Sequence, residues 1–181
     1  APVDLTQRSE VQAWVDGAVS RHGRIDVLYN NASMPRFAPF ADQSDADYRF
    51  TIENELDLVW IASQVAWPHL VTSHGCIVNI ASGAGLAGAR QLPQAAHAAA
   101  KGAVLALTRQ LAAEGMAAGV RVNAVSPGVM GTPPIIAMYE AMGADAPVAP
   151  IVERTITGAP GDAMCVAYAG LYLASDEAAW V

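Results

Sequence analysis

The sequence predicts an α/β fold, a doubly wound parallel sheet with helices on both faces, and three observations carry that expectation. Short apolar runs at 25–30, 76–80 and 120–125 alternate with longer stretches of helical periodicity. The connections between them are short, the usual mark of parallel strands joined by helical crossovers. Hydrophobic residues make up 53% of the 181 residues and charged ones only 15%, and the abundance of Ala, Val and Gly suits helices packed closely on a buried sheet.

Val11, Trp14, Val15, Ala18 and Val19 recur at helical spacing, with Thr6 or Ser9 as N-cap and Gly23 as the stop. The run IDVLYN then reads as a buried strand delivering a turn at Asn30 and Asn31, with a helix to follow. Residues 45–68 have helix-compatible spacing, and Pro68 marks termination or a kink. CIVNI is the second strand, 82–88 a glycine-rich loop, 94–118 a long Ala-rich helix stopped at Gly119, and VRVNAV the third strand. The Pro-, Gly- and Met-rich segment that follows is too long for a simple connection, so a mobile loop over the substrate is expected at about 129–157. A last helix occupies 162–174, and SDEAAWV reads as the beginning of another strand. No internal repeat is visible, and 1–181 reads as one domain.

Composition narrows the function. Seventeen acidic against ten basic residues give a formal charge of −7, which disfavours attraction to nucleic acid or to an anionic membrane. No apolar run reaches the ~18 residues of a membrane span and no signal-peptide pattern opens the chain, so a cytoplasmic protein is expected. Cys76 and Cys165 lie in apolar settings without metal-ligand spacing, and two buried free thiols with no metal site are expected. Small molecules and other subunits remain as partners.

GAGLAG at 83–88 formally matches the glycine pattern of dinucleotide-binding turns. That fingerprint needs a helix opening directly and an acid about 20 residues on. Arg90, Gln91, Leu92 and Pro93 delay the helix and 103–113 contain no acid, so the glycines are read as a loop packing against its neighbours.

The run HAAAK places His97 and Lys101 four residues apart, on one helical face and able to address one ligand. Small neighbours, Ala98, Ala99, Ala100, Gly102 and Ala103, leave Lys101 room to approach a backbone or a ligand. A neighbouring cation disfavours the imidazolium, so a mostly neutral His97 is expected, competent as a base and poorer as an acid. The competing reading is a packing or surface histidine at a helix start.

Set in QAAHAAAKGAVLALTRQLAAEG, this run resembles the active-site helix of short-chain dehydrogenases/reductases, with His97 where the family has Tyr. Other segments resemble the same family in order: HGRIDVLYNNAS, with Ser33 for its Gly; FTIENELDLVW; CIVNIAS; VRVNAVSPGVMGT; and GAPGDAMCVAYAGLYLASDEAAWV. The resemblance implies a Rossmann-like three-layer αβα sheet, incomplete at both ends, lacking a first βαβαβ segment of about sixty residues with the pyrophosphate turn. It implies NAD or NADP as cofactor and a small-molecule alcohol or ketone as substrate. Catalytic positions fall on Asn54, Ser82, His97 and Lys101: Asn54 completes a proton relay, Ser82 orients the substrate oxygen, His97 is the acid/base. Ser82 precedes His97 by fifteen residues, two more than the family's spacing. Cofactor contacts fall on Asp4 and Asn31 toward the adenosine, on Lys101 at the nicotinamide ribose, and on Gly128, Met130 and Thr132 at the carboxamide. Asp4 also reads as an ordinary helix-start acid. The helices at 45–68 and 94–118 resemble the family's assembly pair, so a homodimer or homotetramer is expected. Met130, Ile135, Ile136, Met138, Tyr139 and Met142 form either a substrate-pocket wall or a helix's core face.

Three functions follow for testing. The first is hydride transfer between NAD(P) and a secondary alcohol or ketone. The second is a noncatalytic dehydrogenase-like fragment or pseudoenzyme that binds a ligand or subunit. The third is a lyase or isomerase using His97 as base.

Overall fold

A computed structural model describes residues 2–181. Three parallel strands, β1 (Val27–Asn30), β2 (Cys76–Ile80) and β3 (Arg121–Val125), pair in the order β1-β2-β3, with Val27 beside Cys76 and Cys76 beside Arg121. The helices are α1 (Arg8–His22), α2 (Asp45–Ile52), α3 (Leu58–Ser73), α4 (Ala95–Gly115), α5 (Pro133–Met142), α6 (Ala149–Val152) and α7 (Ala163–Ala174). Among the described residues no helix is long and apolar enough to cross a membrane.

The layers follow from side-chain alternation. On β1, Leu28 and Asn30 are buried toward α1 and α3, while Tyr29 turns to the other face and packs on Gly170 of α7, where a β-carbon would collide with its ring. Val11 and Val15 of α1, Ala62, Val65, Ala66 and Leu70 of α3, and Ile77, Val120 and Val122 form one apolar cluster that α4 borders through Leu111 and Ala112. The central strand β2 is buried almost throughout, as a strand covered on both faces must be. α7 closes the second face, where Arg121 donates to the carbonyls of Leu173 and Ser175.

A polar seam pins the helices at the carboxyl ends of the strands. The buried Asn30 amide donates to Asn79 Oδ1 at 2.8 Å and to Ser63 Oγ at 3.1 Å, and Asn79 Nδ2 donates to Thr108 Oγ1 at 2.9 Å. Adjacent asparagines in register thus tie β1 and β2 to α3 and α4, and among the described residues no buried side-chain nitrogen or oxygen lacks a partner.

Several expectations change. α1 is preceded by Gln7 without a side-chain cap, not by Thr6 or Ser9, because Thr6 is engaged by Asp4; Gly23 ends it at φ +80° as expected. Pro68 does not stop its helix, which continues to Ser73 and ends at His74 in the left-handed region. Residues 129–157 carry α5 and α6 rather than forming one loop, since the Pro133–Pro134 pair sits at the start of α5, where proline's fixed φ favours a helix. Met138 and Tyr139 pack on Ala146, Val148 and Ala149, whereas Ile136 and Met142 stay exposed. Cys165 is exposed rather than buried. SDEAAWV contains a 3₁₀ turn at Asp176–Ala178 and no strand.

Candidate functional site

Parallel α/β sheets bind ligands beyond the carboxyl ends of their strands. Here that edge holds Asn31 after β1, Ala81 and Ser82 after β2, and Ser126 to Gly128 after β3. Leu5, next to Asp4, packs against Ala81, Leu58 and Val104, which brings the segment before α1 to the same edge.

α4 presents the chemistry. Ala96, Ala100, Val104 and Thr108 form its buried stripe, and their small size at the start lets the helix approach the sheet. Lys101 is consequently buried, with Nζ donating to the Ile80 carbonyl at 3.0 Å. Gly85 makes the approach possible from the loop side: a β-carbon there would lie 2.8 Å from the Gly102 nitrogen and the Lys101 carbonyl carbon. The GAGLAG segment therefore packs on α4 as expected, with a single 3₁₀ turn at Gly83–Gly85 and no helix until Ala95.

The residue that organises the site is one the sequence reading passes over. Between α2 and α3 the helix widens into a π-helical turn, Glu53–Asp57, where the Leu58 N–H donates to the Glu53 carbonyl. Such turns alter the facing of side chains and recur at functional sites. Here it places Glu55 inside, 0% exposed. Ser33 donates to Glu55 Oε1 at 2.6 Å, and His97 Nδ1 lies 2.7 Å from Oε2 and 2.9 Å from Oε1. Lys101 Nζ lies 3.8 Å from Oε1, an ion pair without a hydrogen bond. His97 and Lys101 thus meet on one carboxylate.

The Asn54 side-chain amide donates to the Phe50 carbonyl at 2.9 Å, and the Asn54 backbone carbonyl accepts from Met34 N at 3.2 Å. The loop after β1 is held on the π turn in this way and by the Arg36 N–H on Thr51 Oγ1. It delivers Ser33 to Glu55 and sets Phe37 edge-on to the His97 ring, with centroids 5.7 Å apart. Phe37 is 51% exposed and so borders the approach to His97.

His97 Nε2 makes no hydrogen bond. Among the described residues no buried side-chain nitrogen or oxygen lacks a partner, so Nε2 is open to the surface while Nδ1 is held. Burial lowers the Lys101 pKa from the usual lysine value, and the Glu55 charge partly offsets this.

The remaining predicted positions are dispersed along the same edge. Ser82 Oγ accepts from Ala84 N at 3.1 Å, which leaves its hydroxyl proton free for another acceptor. Asp4 accepts from both N and Oγ1 of Thr6, which lower its pKa. Asn31, Gly128 and Thr132 are exposed, and Met130 forms a parallel bridge with Gly161. A signal for Glu55 exists in the sequence: it stands four residues after Thr51 and four before Val59, a carboxylate on an otherwise buried stripe.

A family model described as "Enoyl-(Acyl carrier protein) reductase" matches residues 1–181. The chain is 36% identical over 182 residues to the (2S)-[(R)-hydroxy(phenyl)methyl]succinyl-CoA dehydrogenase subunit BbsD of Thauera aromatica, covering 100% of this chain and 70% of that protein. Its fold matches a Burkholderia xenovorans protein assigned to the short-chain dehydrogenases/reductases, with a TM-score of 0.88, 31% identity and coverage of 100% of this chain and 68% of that one. It also matches ElxO with NADP bound, with a TM-score of 0.91, 25% identity and coverage of 99% and 71%. The chain spans about two thirds of the length of these relatives. A model match over the whole chain, joined to a parallel sheet whose carboxyl edge carries His97 and Lys101 on one helix face, settles the assignment: the chain belongs to the short-chain dehydrogenase/reductase family.

Proposed function

We propose that this chain belongs to an NAD(P)-dependent oxidoreductase that interconverts a secondary alcohol and a ketone, with His97 as the acid/base. The observation that carries this reading is the His97 imidazole, held at Nδ1 by a buried carboxylate and open at Nε2, one helical turn from a buried lysine.

A nicotinamide bound at the carboxyl edge supplies or accepts the hydride. The edge residues fit its ribose end: Lys101 uses one N–H on Ile80, and its remaining donors suit ribose hydroxyls. Asn31 and Asp4 serve the adenosine side, and Gly128, Met130 and Thr132 the carboxamide. In alcohol oxidation, His97 Nε2 takes the hydroxyl proton as the carbon loses hydride; in ketone reduction the same nitrogen returns it. Ser82 donates its hydroxyl proton to the substrate oxygen. Asn54, its Nδ2 held on the Phe50 carbonyl, completes the relay by holding a water between Lys101 and solvent.

BbsD, named for a hydroxy(phenyl)methyl substrate, supports a secondary alcohol, and Phe37 supports an apolar group beside it. For assembly, α3 and α4 present an apolar groove of about 300 Å³ lined by Trp60, Trp67, Pro68, Leu107 and Leu111, which supports a homodimer or homotetramer formed through this helix pair.

The test is nicotinamide fluorescence titration and NAD(P)-linked turnover on a panel of secondary alcohols and ketones. Cofactor binding with turnover is expected; His97→Ala abolishes turnover but retains cofactor binding, and Lys101→Ala weakens both. Absence of cofactor binding would favour a noncatalytic module, and turnover intact in His97→Ala would remove His97 from the chemistry.

A further inference from the structure

Catalytic histidines work when one ring nitrogen is fixed and the other exchanges the proton, and the group on the fixed nitrogen decides which is which. In this chain that group is Glu55. Its carboxylate is fully buried and receives Ser33 Oγ, His97 Nδ1 and, at 3.8 Å, the Lys101 ammonium. Ser33 donates to it and the Lys101 ammonium can only donate, so two of its three polar neighbours call for an acceptor whatever the tautomer of His97.

We infer that Glu55 is a positioning residue: it holds neutral His97 in the Nδ1–H tautomer, leaving the Nε2 lone pair for the substrate proton, and it balances the charge when that proton arrives. The inference rests on the proposed role of His97 as acid/base. The two oxygens of Glu55 are unequally shared: Oε1 faces Ser33, Lys101 and, at 2.9 Å, His97 Nδ1, whereas Oε2 faces only Nδ1, at the shorter 2.7 Å. In Glu55→Gln the amide oxygen is drawn to the Lys101 side, because an ammonium can only donate. The amide NH₂ then takes the Oε2 place, the nearer of the two to Nδ1, and a ring that accepts from it carries its proton on Nε2. The isosteric variant therefore does not merely weaken the contact but reverses the tautomer and blocks the working nitrogen. A merely structural buried carboxylate does not predict that reversal.

Two measurements test this. Nitrogen-15 NMR of imidazole-labelled protein, at a pH where the ring is neutral, is expected to show His97 as Nδ1–H in the native protein and Nε2–H in Glu55→Gln. Steady-state kinetics are expected to show kcat for alcohol oxidation lowered about 10²- to 10⁴-fold in Glu55→Gln, the usual contribution of a positioned acid/base, with KM little changed. An Nε2–H tautomer in the native protein, which needs no variant to observe, overturns the inference, as does Glu55→Gln with unchanged tautomer and kcat. Because the tautomer is read without substrate, an Nδ1–H native ring in a protein lacking NAD(P)-linked turnover would sink the oxidoreductase reading and leave the Glu55 assignment standing.

Discussion

Glu55 Oε2 lies 2.7 Å from His97 Nδ1, joining a fully buried carboxylate of the π turn to a part-buried ring in the first turn of α4. The relationship changes the electrostatics of HAAAK. A lysine one turn away disfavours charge on an imidazole, but a carboxylate touching the ring and also facing that lysine turns the triplet into a cation, an anion and a proton carrier. His97 thereby has Nδ1 held on the carboxylate while Nε2 makes no hydrogen bond.

Ser33 should matter to stability out of proportion to its size. Ser33→Ala removes a 2.6 Å hydrogen bond to a buried carboxylate, and bonds to charged groups contribute about 1.5–3 kcal/mol. At about 2–4 °C per kcal/mol for a chain of this size, the melting temperature should fall by roughly 3–12 °C in a circular-dichroism melt. An unchanged melt would mean that Ser33 does not hold Glu55.

Lys101 gives a pH signature with a definite sign. Its folded pKa is lowered by burial, so between that value and the unfolded value of about 10.4 the unfolded chain binds more protons than the folded one. Stability contributed at this site therefore rises with pH through that window. Urea unfolding across the window should show native stability gaining on Lys101→Met as pH increases. Glu55→Gln removes the influence that raises the Lys101 pKa and should extend the window downward. A native-minus-variant difference that falls with pH would contradict the burial argument.

What the sequence makes legible here is what depends on local pattern. The three strands are short apolar runs between turn residues, and each lies within two residues of its expected limits; Gly23 and Gly119 stop their segments at positive φ as glycine permits. The hidden features depend on tertiary choices. Pro68 inside α3, helix formation after Pro133 and the π turn at Glu53–Asp57 each need packing to select among conformations the local sequence allows. The site shows the same division. His97 and Lys101 announce themselves by spacing, while Glu55 becomes visible only when the π turn carries it inward beside Asn54. Ser33 and His97 are far apart in sequence, yet both touch this one carboxylate.

The glycines of GAGLAG should separate packing from phosphate binding. Gly85→Ala forces a β-carbon against the backbone of Lys101 and Gly102 at 2.8 Å, whereas Gly83→Ala meets only the Pro127 carbonyl at 3.5 Å, an ordinary contact. Overpacking costs about 1–3 kcal/mol, so Gly85→Ala should destabilise by that amount and weaken cofactor binding through Lys101. Gly83→Ala should stay within about 0.5 kcal/mol. Loss of cofactor binding in a stable Gly83→Ala protein would instead revive the dinucleotide-turn reading.

His97→Tyr tests whether the site needs an imidazole at this position. The larger phenol has no Nδ1–H for Glu55, and a buried carboxylate deprived of a donor costs about 1–3 kcal/mol. The single variant should therefore be less stable and no more active than the native protein. Adding Glu55→Asn removes the stranded charge and shortens the side chain facing the ring, so part of the lost stability should return. Residues in direct contact typically couple by about 0.5–3 kcal/mol, and denaturation of the two single variants and the double variant should find a coupling in that range. Higher kcat/KM in His97→Tyr alone would show that the pocket still prefers a phenol, with Glu55 unnecessary to the chemistry. Additive stability effects would show that the 2.7 Å contact carries no energy of its own.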